Sequence, residues 1–458
     1  MTATGSPSPC SDGGASPVRN ASPVAFLLLA KSPSMPSSRS QADARRAVSE
    51  SKPVAPKSEG RALSVAGLFA GIGGIERGLQ RAGHRSELLC EFDVGARAVL
   101  AARFPETRLA EDVRTLRSLP AVDLVAAGFP CQDLSQAGRT RGIAGAQSSL
   151  VDHLFRLVSG RRRPRRLLIE NVPFMLQLER GRAMTHLTTR LEALGYRWAY
   201  RIVDARAFGI PQRRRRVLLL ADREEDPAGV LAVDDHPGIP ERAETAESTE
   251  ASAYGFYWTE GTRGVGWGID AVPTLKGGSG LGIPSPPAIW LPETGEFGTP
   301  DIRDAERLQG FRVDWTAPST AATGRPNGRW KLIGNAVFVP WFEWLGKRLA
   351  APKGHRTLPI GEPFATSWPA AACGGEGKRF RLDVSERPAA RRERGLAEFL
   401  RFPLQPLSHR AAAGFLGRAR RSSLRFRADF LEALDAHVRR TAPNRTARQR
   451  PKTKRTSP

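Results

Sequence analysis

An α/β fold, with a mostly parallel sheet covered by helices on both faces, is predicted by three observations on the 458-residue sequence. Short apolar runs alternate with helix-like stretches between about residues 61 and 221. The polar and special residues of that region fall where the runs end. The hydrophobic content of 40% suffices for a full core. The first unit is ALSVAGLFA, an apolar run closed by a glycine turn. GIERGLQRAG follows and sets Ile75, Leu79 and Ala82 on one helical face, with Gly83 as a stop. SELLCEFD, VDLVAAGF, RRLLIENV and RRVLLLAD are further strand candidates, and SSLVDHLFRLVSG and THLTTRLEALG read as helices between them.

In an open α/β sheet, ligands bind at the carboxyl ends of the strands. Gly71, Gly73 and Gly74 follow the first strand, Glu91 ends the second, Cys131 follows VDLVAAGF, and Glu170 with Asn171 ends LLIENV. The segments therefore converge on one rim. The turn in FAGIGGIERG lets the backbone approach a ligand, and Glu91 is placed to accept hydrogen bonds from ribose hydroxyls. Such a loop suits NAD, FAD or S-adenosylmethionine, or is a bare structural turn. Its GxGG spacing, in place of GxGxxG, leans away from a pyrophosphate cradle.

Cys131 has two readings. An unpaired cysteine is most often a small buried hydrophobe. In GFPCQDLSQAG, however, Pro130 ends the strand and Gln132, Asp133 and Ser135 follow, which puts the thiol in a polar rim loop where a thiolate is exposed and reactive. Cys90 lies within an apolar strand and takes the core reading, while Cys10 and Cys373 lie in low-complexity or loop sequence. The four cysteines form no CxxC pair and offer neither a disulfide framework nor a zinc site, which fits a reducing cytoplasm. Glu170 is either a capping or salt-bridged carboxylate or, beside a nucleophile, a proton donor. QRRRR, residues 212–216, is a solvated charge run unless it begins a strand; alternation then sends Arg214 and Arg216 to one face.

Seventy Lys and Arg against 46 Asp and Glu give a formal net charge of +24, which favours a nucleic-acid partner over an acidic protein. The apolar run VAFLLLA is far short of the ~20 residues that span a bilayer, so no membrane association is expected, and a secretory signal there would be poorly formed. Residues 1–60, dominated by Ser, Pro, Ala and Gly, are expected to form a disordered extension. A start assigned too far upstream gives the same sequence, with Met35 as the alternative start. The basic tail, residues 445–458, should stay solvated. FRADFLEALDAHVRR spaces Phe426, Phe430, Leu434 and Val438 four apart, as in an amphipathic helix.

GLFAGIGG, CEFD, GFPCQDLSQAG, IENV, GIPQRRRRV, ERLQGF and IGNAV occur in the order found in cytosine-C5 DNA methyltransferases of bacterial or phage type. The chain resembles that family from about residue 63 to 349. The resemblance implies a Rossmann-like, S-adenosylmethionine-dependent methyltransferase domain over 61–222 and 301–350, and a small irregular target-recognition region over 223–300. Residues 351–444 match no segment and are expected as a C-terminal appendage carrying the amphipathic helix. Carried over by position, Phe69, Gly71, Gly73 and Gly74 line the cofactor pocket, Glu91 holds the ribose and Asp112 faces the adenine. Asn335 stands where the chain returns to close the methionine side. Cys131 is the nucleophile, Glu170 the acid, and Arg214 and Arg216 the paired active-site arginines; no metal is implied. One departure is Gly67, where many members carry Asp.

The implied partner is double-stranded DNA, with a cognate restriction endonuclease as a functional partner, and a monomer suffices for the chemistry. An RNA-directed relative shares the PCQ and ENV residues. A flavin or NAD oxidoreductase shares only the glycine loop. A catalytically silent relative is disfavoured because no catalytic residue type is missing.

Overall fold

The computed structural model describes residues 60–129, 149–237, 253–260, 264–278, 284–325, 328–351 and 358–443. The expectations for the N-terminal extension up to residue 59, for Cys10, for Cys131 and its loop, and for the basic tail lie outside the described residues.

Ten strands form the central sheet. Five of them, β1 (Ser64–Leu68), β2 (Arg85–Cys90), β3 (Arg108–Ala110), β4 (Leu124–Ala127) and β5 (Arg166–Asn171), pair in parallel in the order β5-β4-β1-β2-β3. Every residue of β4 and β5 is buried, as expected for strands covered on both faces. The helix α1 (Gly74–Arg81) packs Ile75 and Leu79 on one face, with Val65, Leu124 and Leu168. On the same face α2 (Val94–Arg103) packs Val99 and Leu100 with Leu89, and on the other face α3 (Leu150–Val158) and α4 (Arg182–Ala193) bury Val151, Leu154 and Leu187 against Ala66, Leu167 and Ile169. Gly83, at φ 93°, ends the first helical stretch in a left-handed conformation that glycine adopts without steric cost.

Beyond β5 the sheet changes direction. The strand β6 (Arg197–Asp204) leads through the two-residue β7 (Gln212–Arg213) to β8 (Arg215–Asp222), which inserts antiparallel between β5 and β6. The antiparallel pairing brings the start of β8 to the carboxyl end of β5, with Leu218 opposite Glu170 and Val217 opposite Asn171.

A second sheet is built from very short strands. It joins β9 (Tyr254–Phe256), β10 (Gly268–Ile269), β12 (Ala288–Leu291) and β13 (Glu296–Thr299), while β11 (Val272–Pro273) pairs instead with β7. Residues 223–237, expected within the recognition region, pack on the main sheet: Ala228 and Leu231 join the core around Phe338 and Trp341. Four helices then return to the main sheet: α5 (Ile302–Leu308), α6 (Ala317–Thr323), α7 (Gly328–Asn335) and α8 (Val339–Ala350). The last packs against α1 so closely that a Cβ on Gly78 would lie 2.5 Å from Phe342.

The segment after residue 351, expected as an appendage, is divided between the two sheets. The strands β14 (Ile360–Pro363), β15 (Ala371–Gly375) and β16 (Lys378–Leu382) extend the central sheet, with β15 antiparallel to β6. Cys373, expected in a loop, is a buried strand residue pairing opposite Ala199. The two-residue β17 (Gln405–Pro406) adds to β13, and the helices α9 (His409–Arg421) and α10 (Ala428–Arg440) cover the second sheet. The expected amphipathic helix is the last of these, with Phe430 and Leu434 buried. Among the described residues no helix is long and apolar enough to cross a membrane.

Candidate active site

Because the first five strands are parallel, their carboxyl ends share one rim, and the first turn on it is shaped by backbone conformation. Phe69, Gly71 and Gly73 all have positive φ, at 57°, 54° and 80°. Gly73 and Gly74 are glycines for want of room: a Cβ would lie 2.4 Å from the Phe104 ring at the first and 2.5 Å from Val337 at the second. A Cβ on Gly71 would meet nothing within 4 Å, so the turn is open above it. The Phe69 ring stands edge-on to Phe129, 6.3 Å between centroids.

Glu91 follows β2 and is locked to this turn. Its carboxylate accepts from the Gly71 amide at 2.8 Å through one oxygen and from the Asp93 amide at 2.8 Å through the other. Each oxygen keeps a further lone pair for a ligand. Asp93 in turn caps α2 through the Ala96 amide and pairs with Lys331 of α7 at 2.8 Å, which draws the helix ending in Asn335 toward the same turn. Asp112, just beyond β3, is held by the Arg114 side chain and backbone, and that bonding keeps its carboxyl below the usual range. Arg114 also lies over the ring of Phe92 at 5.3 Å. Phe92, 67% exposed beside Glu91, is a residue the sequence reading passed over although CEFD was singled out. An aromatic held open to solvent next to a fixed carboxylate is a stacking surface.

Glu170 ends β5 almost wholly buried, and a Cβ on Gly128 would lie 3.6 Å from its Oε2. Arg216 Nε stands 3.1 Å from Glu170 Oε1, an ion pair screened from water on both sides. The pair forms because Arg216 lies two residues from the direct partner of Glu170 on the antiparallel neighbour, and such diagonal residues share a face. Burial lowers the Arg216 guanidinium from its ordinary value, and the Glu170 charge opposes that shift. Asn171 points into the same rim: its Nδ2 donates to the Phe129 carbonyl at 3.0 Å and its Oδ1 accepts from the Val172 amide. It thereby fixes the chain immediately before Pro130 and Cys131.

Arg214 and Arg216 have different surroundings. Arg214 is fully buried and donates to the carbonyls of Ala336, at 2.5 Å, and Leu275, at 3.4 Å. Burial and then the like charge of Arg216 push it well below its ordinary value. It ties the 275–276 stretch to the turn after Asn335. Gln212 reinforces that tie by donating to the Leu308 carbonyl at 2.8 Å and accepting from the Leu275 amide, while Gln309 donates to the Ile333 carbonyl at 2.9 Å. The PQRRRR, LQGF and IGNAV segments are thus pinned together by two glutamines that the sequence reading left without a role. Asn335 is exposed at the end of α7, with its Oδ1 over Gly277, where a Cβ would lie within 2.2 Å.

Between this rim and the second sheet lies a cleft of about 580 Å³ lined by Arg206, Arg213, Arg215, Arg216 and Lys276, with Asp204 and Glu260 as the only acids on its wall among the described residues. Four of these cations face an acid, Arg206 with Asp204, Arg215 with Glu386, Arg216 with Glu170 and Lys276 with Glu260, so the attraction for a polyanion comes mainly from the net charge of the whole chain. Cys90 and Cys373 are poor nucleophile candidates, since burial pushes their thiols up to about 12 and about 11. Gly67 makes room for Glu76: a Cβ there would lie 2.1 Å from Glu76 Oε1.

A family model, C-5 cytosine-specific DNA methylase, matches residues 63–253. The chain is 49% identical to the Type II methyltransferase M2.BsuMI of Bacillus subtilis (strain 168) over 380 residues, which covers 81% of this chain and 97% of that protein. It is 34% identical to the Type II methyltransferase M.BanI of Aneurinibacillus aneurinilyticus over 180 residues, 37% of this chain and 42% of that one. Among solved structures, the S. pombe Dnmt2 methyltransferase matches 64% of this chain and 100% of its own at 18% identity, with a TM-score of 0.48. The chain belongs to the C-5 cytosine-specific DNA methylase family and is a DNA (cytosine-5-)-methyltransferase.

Proposed function

We propose that the chain methylates C5 of a cytosine flipped out of double-stranded DNA, with S-adenosylmethionine as methyl donor and Cys131 as covalent nucleophile. The observation that carries the reading is the buried Glu170–Arg216 pair beside Gly128, on the rim that also holds the glycine turn and Glu91. The rim suits the donor in three respects: the open space above Gly71, the fixed Glu91 carboxylate and the exposed ring of Phe92. When bound, S-adenosylmethionine supplies an electrophilic methyl group on a sulfonium for the nucleophilic C5.

The chain's own residues do the rest. Glu91 accepts from the ribose hydroxyls, Phe92 stacks on the adenine, Asp112 faces its edge, and Phe69, Gly73, Gly74 and Asn335 close the pocket. Flipping the base costs a few kcal/mol, offset in part by phosphates drawn into the basic cleft. The Cys131 thiolate adds to C6 while Glu170 donates a proton toward N3, which makes C5 the carbon nucleophile. Arg216 holds the Glu170 carboxyl in line and carries positive charge to the base, and Arg214 positions the segment that bears both. Once C5 has bonded to the methyl group, loss of the C5 proton, return of the N3 proton to the Glu170 carboxylate and departure of the Cys131 thiolate restore the aromatic ring.

The second sheet and its loops, within residues 253–300, would read the target, and which bases are read depends on the side chains that reach base edges. The Type II naming of M2.BsuMI favours a restriction–modification role with a cognate endonuclease, carried out by a monomer in the cytoplasm, where the DNA is. The test is incubation with a 5-fluorocytosine duplex and S-adenosylmethionine, since fluorine at C5 blocks release. A denaturation-resistant adduct mapping to Cys131 is expected, and none with Cys131→Ser; an adduct at another residue would overturn the assignment.

A further inference from the structure

We propose that residues 405–440 are the second half of the target-recognition module, and that Arg421 and Arg425, at the turn between α9 and α10, hold phosphates of the DNA beside the recognition loops. The proposal rests on reading the second sheet as the recognition scaffold.

The segment is built into that sheet. Gly298 pairs with Pro406 and Thr299 with Gln405. The two helices bring Phe415 to 5.0 Å from Phe256, and Phe430 to 4.9 Å from Trp267 and 5.3 Å from Trp290, measured between ring centroids. Without them the aromatic face of the sheet would be open to water. The opposite face is also covered, by Ile289 packing with Val272, Leu275 and Leu308. A sheet buried on both faces meets DNA only at its ends.

The contacts select one end. Ala288 pairs with Phe256, so residues 257–260 and 284–287 emerge together, joined by Thr259 to Ser285 at 3.0 Å and by Trp258 Nε1 to the Pro286 carbonyl at 3.0 Å. Tyr257, Glu260 and Lys276 from this end line the basic cleft. The last turn of α9 is anchored there: Arg418 donates to the Glu260 carbonyl at 2.9 Å and to the Trp258 carbonyl at 2.6 Å. Arg421, one turn on, and Arg425 are exposed and form no ion pair among the described residues. Arg420 and Arg439 are spent on Asp435, and Arg427 on Asp429. Arg410, equally exposed, lies at the far end of α9, about 17 Å away at 1.5 Å per residue.

The experiment titrates a fluorescein-labelled DNA duplex with the full chain over a salt series, comparing wild type, the double variant Arg421→Gln/Arg425→Gln, and Arg410→Gln. Each phosphate contact contributes about one to the slope of log affinity against log salt. The double variant should therefore bind with a slope shallower by about two, and Arg410→Gln with the wild-type slope. An unchanged slope in the double variant, or an equal loss in Arg410→Gln, would overturn the proposal while the recognition reading stood. Methyl transfer to plasmid DNA by the wild type is measured alongside, and its absence would overturn both.

Discussion

Glu76→Gln isolates a carboxyl that the structure buries with no ion-pair partner among the described residues. Glu76 sits in the first turn of α1 at 1% exposure, and neither of its side-chain oxygens has a hydrogen-bond partner among the described residues. Burial raises its pKa from 4.5 to about 7, opposed by its own backbone amide and helped by the Glu91 charge. Between those values the folded chain holds a proton that the unfolded chain has released. Stability therefore falls as pH rises through that window, and the full cost is present above it. A rise from 4.5 to about 7, at about 1.36 kcal/mol for each pH unit, amounts to roughly 3 kcal/mol. Glutamine cannot titrate, so the stability of the variant relative to wild type should grow by that amount between pH 5 and pH 8. Whatever the amide itself costs cancels in this difference. At about 2.1 cal/mol/K per residue over the unit Pro56–Pro458, the change corresponds to roughly 4 °C in melting temperature. Scanning calorimetry of both proteins across that pH range is the assay. Melting temperatures that run parallel with pH would refute the reasoning.

Two further substitutions probe the ties around the site. Gly334→Ala places a Cβ 2.0 Å from the Lys276 carbonyl carbon and 2.2 Å from the Gly277 nitrogen, backbone that cannot yield as a side chain can. A loss of about 3 kcal/mol is expected in urea denaturation, and a wild-type midpoint would contradict the close approach. Arg216→Ala leaves Glu170 buried without its cation, so about 3 kcal/mol of stability and roughly 100-fold in turnover should be lost with S-adenosylmethionine affinity unchanged. Calorimetric binding together with single-turnover rates separates these effects, and an unaltered rate would remove Arg216 from the site.

The parallel half of the sheet was legible because each unit is local. The apolar run of β1, its glycine turn and the face formed by Ile75 and Leu79 lie within some twenty residues of one another, as do β5 and the Glu170–Asn171 pair at its end. The antiparallel extension was not legible, because β15 finds its partner in β6, far away in sequence, and AACGG carries no alternation to announce a strand. The second sheet escaped for a related reason: strands of two to four residues are shorter than the window in which periodicity registers. The C-terminal helices were half seen. The four-residue spacing in α10 showed that it packs on something, but only the aromatic cluster identifies the surface it covers. At the site, the converging rim residues stood out as breaks in apolar runs. Phe92 did not, because exposure is invisible in sequence, and neither did Glu76, whose place on a helix with a buried face depends on the missing side chain of Gly67. Arg214 and Arg216 looked equivalent as alternate residues of one charge run. The antiparallel register gives Arg216 to Glu170 and leaves Arg214 to two backbone carbonyls.

The most direct measurement is conversion sequencing of genomic DNA from a methylation-deficient bacterial host expressing either the wild-type chain or Cys131→Ser. Protected cytosines in one short sequence context with the wild type, and none with the variant, are expected. The same protected cytosines with Cys131→Ser, or none with either protein, would contradict the account.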